Sequence, residues 1–457
     1  MDWYPTLPFG EGPRYVQIVA ALHNDIMNGR VAPGQRLPTH REMASALNLS
    51  VGTVSKAYAL AERRGLISGQ VGRGTFVQRP KAEFGVYDPV TAETARVNLA
   101  LNAPPDTGEA DALATVLAEI AADPDLKDIL GYLPHQGIRR HRKAIADWFR
   151  RHGSTTEESN LYVTSGAQHA ISIALRLLAQ PGDRILVENL TYSGLAALSL
   201  MEGYALHGVQ MDEDGIVPAS LDAAFAQTGA KVLFCTPSFQ TATGSIMPEA
   251  RRREIAEIVQ RHDGWIVEDD VYAFLMPEPE APLSSYLPER SFHVMSFSKC
   301  LAPGLRVGAM TAPPEFRDRV VNAIRSTGWM ANAVMTEAVV RLLASGAMDR
   351  QAQLKRAAAA ERTLVAQEIL GDLLFPKALP CFHTWLIMPA GRTASNFVAQ
   401  AALQGITLAA PSPISSGAGL TGGIRICLGA ANNTESLRRA LLALSDILND
   451  VEEMALV

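Results

Sequence analysis

Residues 294–308 read Val294-Met295-Ser296-Phe297-Ser298-Lys299-Cys300-Leu301-Ala302-Pro303-Gly304-Leu305-Arg306-Val307-Gly308. An apolar run over 293–297 has the length of a buried strand and delivers a lysine to a polar turn. Ser296 and Ser298 precede that lysine and Arg306 follows it. A lysine amine condenses with an aldehyde, while hydroxyls and a guanidinium together suit a phosphate dianion. A lysine beside serines is also an ordinary solvated loop, so the reading rests on the surroundings.

Those surroundings repeat one pattern. Upstream, Val267-Glu268-Asp269-Asp270-Val271-Tyr272 ends an apolar strand in carboxylates. A carboxylate in that position keeps a pyridine nitrogen protonated, and a protonated ring is an electron sink. Earlier still, Thr164-Ser165-Gly166-Ala167-Gln168 joins a strand to a helix, where backbone N–H groups face an anion. Tyr192 opens a further helix and has a ring that can stack on a flat ligand. Taken singly, the two aspartates read equally as a helix cap and Ser165-Gly166 as a plain turn. Segments 161–164, 184–187, 231–235, 265–267 and 293–297 read as strands; 167–178, 248–261 and 314–326 read as helices. Alternation of this kind predicts a mostly parallel α/β sheet covered on both faces. Beyond residue 347, a long helix, strands near 384–388, 406–409 and 424–428, and a final helix to 449 predict a smaller α+β domain.

In this order and spacing the residues resemble the fold-type I aminotransferases, over about residues 97–448. The resemblance implies pyridoxal 5′-phosphate, with Lys299 as the catalytic Schiff-base lysine, Asp269 at the pyridine nitrogen and Tyr272 at the ring hydroxyl. It implies Ser296, Ser298, Arg306, Ala167 and Gln168 at the phosphate, and Tyr192 on the ring. Tyr132, in Tyr132-Leu133-Pro134-His135-Gln136-Gly137, reaches the phosphate of the partner subunit in a homodimer by the same resemblance. Arg425 matches the arginine that clamps a carboxylate of the effector. The chain departs from the enzymes at Pro237-Ser238-Phe239-Gln240-Thr241-Ala242-Thr243-Gly244, where Thr241 replaces the asparagine that holds the ring hydroxyl. Cofactor binding tolerates that change better than efficient transamination does.

The first 78 residues are different in kind. They carry eight Lys/Arg against five Asp/Glu, a net +3, which leaves −9 for the rest of a −6 chain. Tyr15, Ile18, Leu22 and Ile26 mark one helix; Thr39 caps a short second over 40–47; Ser50 caps a third with Val54, Ala57, Tyr58 and Ala61 inward. Short strands at 66–68 and 74–77 then flank a Gly-rich tip. Two helices about a tight turn place the second in a DNA major groove; a helical bundle for a protein partner shows much the same pattern. The run Pro33-Gly34-Gln35-Arg36-Leu37-Pro38-Thr39, with Arg41, Ser50, Thr53-Val54, Ala57-Tyr58 and Gly72-x-Gly74-Thr75-Phe76-Val77, resembles the GntR winged helix-turn-helix family. The DNA-facing set on that reading is Arg36, Arg41, Ser50, Gly52, Thr53, Ser55, Lys56, Gly72 and Arg73. Val51 stands where the family often has an arginine.

The expected organisation is therefore a winged helix-turn-helix over 1–78, a linker over 79–96, a large aminotransferase-like domain over 97–346 and a small one over 347–457. This layout resembles the MocR subfamily of GntR regulators. It implies a homodimeric, DNA-binding transcriptional regulator that senses an amine, amino acid or B6 vitamer through the aldimine at Lys299. The alternative is a working aminotransferase with an attached DNA-binding module. With 47% apolar and 19% charged residues, no run of about 20 apolar residues and no secretory signal at the start, the chain reads as cytosolic. Cys235, Cys300, Cys381 and Cys427 lie far apart, without metal-ligand or disulfide spacing, so no metal site is expected.

Overall fold

The computed structural model describes residues 3–5, 13–27, 30–31, 34–63, 66–70, 74–77, 97–155, 157–276, 278, 280–375, 379–389, 391–409 and 422–449. The chain divides into two compact units, Met1–Phe84 and Gly85–Val457. The division falls inside the stretch read as linker, 79–96, which lies outside the described residues.

In the first unit α1 (Arg14–Met27), α2 (His40–Leu47) and α3 (Val51–Arg63) precede a hairpin of β1 (Ile67–Gln70) and β2 (Gly74–Val77). The helical spacing of Ile18, Leu22, Ile26, Met43, Val54, Ala57 and Tyr58 puts all seven into one buried core. Thr39 starts α2 with a capping box: its hydroxyl accepts from Glu42 N, and Glu42 Oε2 accepts from Thr39 N at 2.7 Å. Asn48, at φ 53°, makes the left-handed turn into α3, a conformation that asparagine tolerates. The first strand was expected at 66–68 but starts at Ile67, because Leu66 N is still bonded to Ala61 O at the end of α3.

The second unit is built on a seven-stranded sheet. Its strands are β3 (Leu161–Thr164), β4 (Arg184–Glu188), β5 (Ala205–Val209), β6 (Val232–Cys235), β7 (Trp265–Asp269), β8 (Ser291–Ser296) and β9 (Gly308–Thr311), in the order β3-β9-β8-β7-β6-β4-β5. All pairings are parallel except those of β9. Alternation along the strands feeds both faces. Val187, Phe234, Val267 and Val294 pack under α4 (Ala167–Leu178), while Leu186, Leu233 and Ile266 pack under the helix Glu249–Arg261. Strands β5 and β9 were not read from the sequence: Ala205-Leu-His-Gly-Val and Gly308-Ala-Met-Thr lack β-branched runs and gain their pairing from neighbours. The helix expected over 314–326 starts as a 3₁₀ turn, Pro314–Phe316, and becomes α-helical over Arg317–Gly328.

The smaller half contains α5 (Ala347–Leu370), the antiparallel pair β10 (His383–Ile387) and β11 (Gly423–Cys427), and α6 (Thr434–Asn449). The strand expected over 406–409 pairs only at Ile406–Thr407, and its partner is Val97–Asn98, in parallel. Leu99 is fully buried with Leu386, Ile424 and Leu441. Residues 97–99 therefore pack with the smaller half, although the sequence boundary assigns them to the larger one.

Candidate cofactor site and DNA-binding face

The register of three strands builds one edge of the site. Ser296 pairs with Gly308, and Gly308 pairs with Thr164, so the ends of β8 and β3 and the start of β9 lie side by side. Chain leaving that edge carries Lys299, Arg306 and the Ser165–Gln168 turn. Ligand sites of open α/β sheets sit at this carboxyl edge.

The anion side is formed by Ser296, Ser298, Arg306 and the start of α4. Ser296 Oγ is 2.9 Å from Ser298 Oγ and accepts from Ser298 N at 3.1 Å. Arg306, in the left-handed region at φ 52°, reaches back so that Nη2 donates to Ser165 O at 3.3 Å. Ala167 is the first residue of α4, and Gln168 Nε2 donates to Gly194 O at 2.9 Å while its Oε1 is buried without a partner. The Tyr192 ring covers Gly194, and its hydroxyl lies in the fields of Asp269, Arg306 and Arg425.

The ring side is formed by Asp269, Tyr272 and Lys299. Asp269 is buried at the end of β7; burial, then the neighbouring Asp270, pushes its pKa up to about 7. Its Oδ1 and the Tyr272 hydroxyl are both buried without a hydrogen-bond partner. The Lys299 amine donates to the carbonyl of Asn102 and lies 5.6 Å from the centre of the Tyr272 ring. Desolvation pushes its pKa down to about 8. Arg425 Nη1 donates to the Thr241 carbonyl at 3.0 Å, and Thr241 N donates to Thr236 Oγ1.

Two orphaned polar atoms beside an amine of lowered pKa, facing a hydroxyl and guanidinium cradle, fit pyridoxal 5′-phosphate. Asp269 Oδ1 would accept from the pyridinium, Tyr272 would meet the ring hydroxyl, and the cradle would hold the phosphate. When bound, the group supplies an aldehyde for amines and an electron-withdrawing ring. Tyr132 stands apart from this cluster: it is 86% exposed, with its ring 5.5 Å from that of Trp329.

Several participants gave no sequence signal. Asn102, His383, Cys381 and Cys427 come from distant segments and surround Lys299 through hydrogen bonds and electrostatics. Buried Glu188 accepts from Thr236 and Gln240, and burial raises its pKa to about 7. Gln240 Oε1 accepts from Ala242 N, Thr243 N and Thr243 Oγ1, and so pins the turn that carries Thr241. Glu268, Asp270 and His293 bring metal-capable atoms within 4.8 Å of one another. Their donors and acceptors are engaged locally: Asp270 with His293 at 3.0 Å, and Glu268 with the N–H groups of Leu283 and Ser284. Burial opposes charging His293, but its bond to Asp270 prevails and raises its pKa.

In the first unit, Arg36, Arg41, Ser50, Gly52 and Lys56 are exposed, and Thr53 and Ser55 are half-buried. Ser50 Oγ accepts from Thr53 N at 3.1 Å and fixes the start of α3. Ser55 Oγ is bonded to His40 Nδ1 at 3.1 Å, which ties α3 to α2. Gln35 and Leu37 bond to β2, and Arg36 runs across Gly74, so this arginine belongs to the wing side. Gly72 and Arg73 lie outside the described residues.

Residues 94–444 match the family model for aminotransferase class I and II, and residues 14–77 match that for bacterial regulatory proteins of the gntR family. The chain is a GntR-family regulator of the MocR type, with an aminotransferase class I and II body. Over 453 residues it is 28% identical to the HTH-type transcriptional regulator YdeF of Bacillus subtilis, covering 99% of this chain and 98% of that one. It is 28% identical over 449 residues to the pyridoxine biosynthesis regulator PdxR of Corynebacterium glutamicum, covering 95% of each. It is 31% identical to YjiR of Escherichia coli over 68% of this chain and 71% of that one. The body shares its fold with α-aminoadipate aminotransferase LysN of Thermus thermophilus: TM-score 0.71, 21% identity, 82% of this chain and 96% of that one. Among the described residues no helix is long and apolar enough to cross a membrane.

Proposed function

We propose that this MocR-type regulator works as a homodimer loaded with pyridoxal 5′-phosphate at Lys299. On this reading it binds duplex DNA through the face carrying Arg36, Arg41 and residues 50–56. It responds to an amine, amino acid or B6 vitamer that competes with the Lys299 amine. The carrying observation is the pair of unpartnered buried atoms, Asp269 Oδ1 and Tyr272 Oη, beside Lys299. Burying such atoms is costly unless a ligand completes them. Arg425 supports a carboxylate-bearing effector, since its guanidinium is already oriented by the Thr241 carbonyl. The exposed Tyr132 supports dimerisation, because a tyrosine at that exposure gains from a partner surface.

Thr241 favours sensing over turnover. Its short side chain replaces an amide that the enzymes use at the ring hydroxyl, while the rest of the site is retained. A ligand acts on DNA binding only through differential affinity for two arrangements of the protein. The test combines a visible absorbance titration with pyridoxal phosphate and binding of a duplex from upstream of the gene. Absorbance tied to Lys299 and effector-dependent duplex affinity support the reading. Steady conversion of an amino acid and a keto acid, with no duplex bound, overturns it.

A further inference from the structure

The segment that follows residues 79–96 is held entirely by the smaller half until it reaches Lys299. Val97–Asn98 pairs with Ile406–Thr407, and Leu99 N donates to Thr407 O at 2.9 Å. Cys427 N donates to Leu99 O at 2.9 Å, and Cys427 Sγ to Ala100 O at 3.3 Å. Asn98 Oδ1 accepts from Ala100 N and Leu101 N, which turns the chain toward the site.

Asn102 then sits between the two halves, with its Oδ1 buried and without a partner. His383 Nε2 faces the carbonyl of Gln240 at 2.9 Å, so that nitrogen carries the proton and Nδ1 is the acceptor. The Asn102 side-chain nitrogen lies 3.4 Å from Nδ1 and donates to it, sharing that acceptor with the Cys381 thiol at 3.5 Å. With its side chain held there, Asn102 presents its backbone carbonyl to the Lys299 amine. Lys299 belongs to the larger half, whereas Leu99 and His383 belong to the smaller.

We propose that Asn102 is the positioning residue through which the state of Lys299 is passed to the chain segment leading to the DNA-binding unit. The inference rests on the cofactor reading above. A free Lys299 amine bonds to the Asn102 carbonyl and latches residues 97–102 across the two halves. Engagement of the amine by the aldehyde forms a C=N bond and releases water, and both amine hydrogens leave, so the latch opens. A competing amine takes over that C=N bond and gives its two hydrogens to the Lys299 nitrogen. The free lysine is restored and the latch closes. The effector signal is then the return of a free lysine to Asn102.

Hydrogen exchange of the full-length protein reads this directly at the amides of Leu99 to Ala103. Four samples are compared: the free chain, the chain loaded with pyridoxal phosphate, the loaded chain treated with methoxyamine, and Lys299→Met without cofactor. Methoxyamine captures the aldehyde as an oxime and frees the lysine. The expectation is slow exchange in the free and methoxyamine-treated chains. Loading, and Lys299→Met, should speed it roughly tenfold, the scale of one buried hydrogen bond. Exchange that is indifferent to loading, or Lys299→Met matching the free chain, overturns the latch. Visible absorbance separates the two readings: absence of the loaded band refutes cofactor binding, whereas a band with unchanged exchange refutes only the latch. The loading and methoxyamine arms use the unmutated chain, so they stand even where Lys299→Met fails to fold.

Discussion

The guanidinium of Arg306 lies against Gly166, where an added Cβ would meet Nη2 at 2.5 Å. Gly166 also has φ 82° and ψ 173°, a conformation essentially reserved for glycine. Two requirements meet at one residue, since the turn before α4 needs a positive φ with extended ψ and the arginine must pass over it. Gly166→Ala should therefore displace Arg306 from the phosphate cradle. We expect pyridoxal phosphate affinity to fall about tenfold or more, the scale of a charge-assisted bond, measured by absorbance titration.

Asp269 gives a pH signature. Its pKa is raised in the folded chain, so its contribution to stability is complete below the ordinary carboxylate range and is lost as pH rises through about 7. Without cofactor, Asp269→Asn should be more thermostable than the parent at pH 8, by about 2 °C or more, and nearly equal to it at about pH 4, the ordinary carboxylate range. With cofactor the order should reverse at pH 8, since the pyridinium loses its counter-charge. Melting curves at both pH values, with and without pyridoxal phosphate, check this.

Glu337 behaves in the opposite way. It accepts from Arg140 at 2.6 Å, His141 at 2.7 Å and Arg341 at 3.1 Å. Burial raises its pKa, but these bonds outweigh burial and hold it at about 2. The contribution is present above the ordinary glutamate value and is lost as pH falls toward 2. Glu337→Gln should cost about 2 kcal/mol at pH 7. It should also flatten the acid side of the stability profile between pH 4 and 2, followed by urea unfolding.

Arg41 is exposed on α2 and Thr39 caps the same helix. Arg41→Ala should weaken duplex binding across sequences and reduce the salt slope by about 1, without changing melting. Thr39→Ala should instead cost the first unit about 1 kcal/mol. Fluorescence anisotropy over a salt series, beside thermal melts, separates a phosphate contact from a folding defect.

The sequence by itself determined the elements that carry strong local signals. The bounds of α2, β3 and α4 follow from caps, glycines and apolar period, because those act within a few residues. That Lys299, Asp269, Tyr272, Ser296, Ser298 and Arg306 would gather at one sheet edge was legible because each follows or ends a strand of that sheet. Only the tertiary structure decided the rest. Strand β9 exists because β8 and β3 leave a slot that small residues fill. Gln240, His383 and Asn102 come from three distant segments and form one hydrogen-bonded chain that ends at Lys299, and no local propensity records such a meeting. The orientation of the Asn102 amide comes from His383, whose proton position comes from the Gln240 carbonyl. Hydrogen-bond direction is a property of the assembled network, and it appears only once the chain has folded.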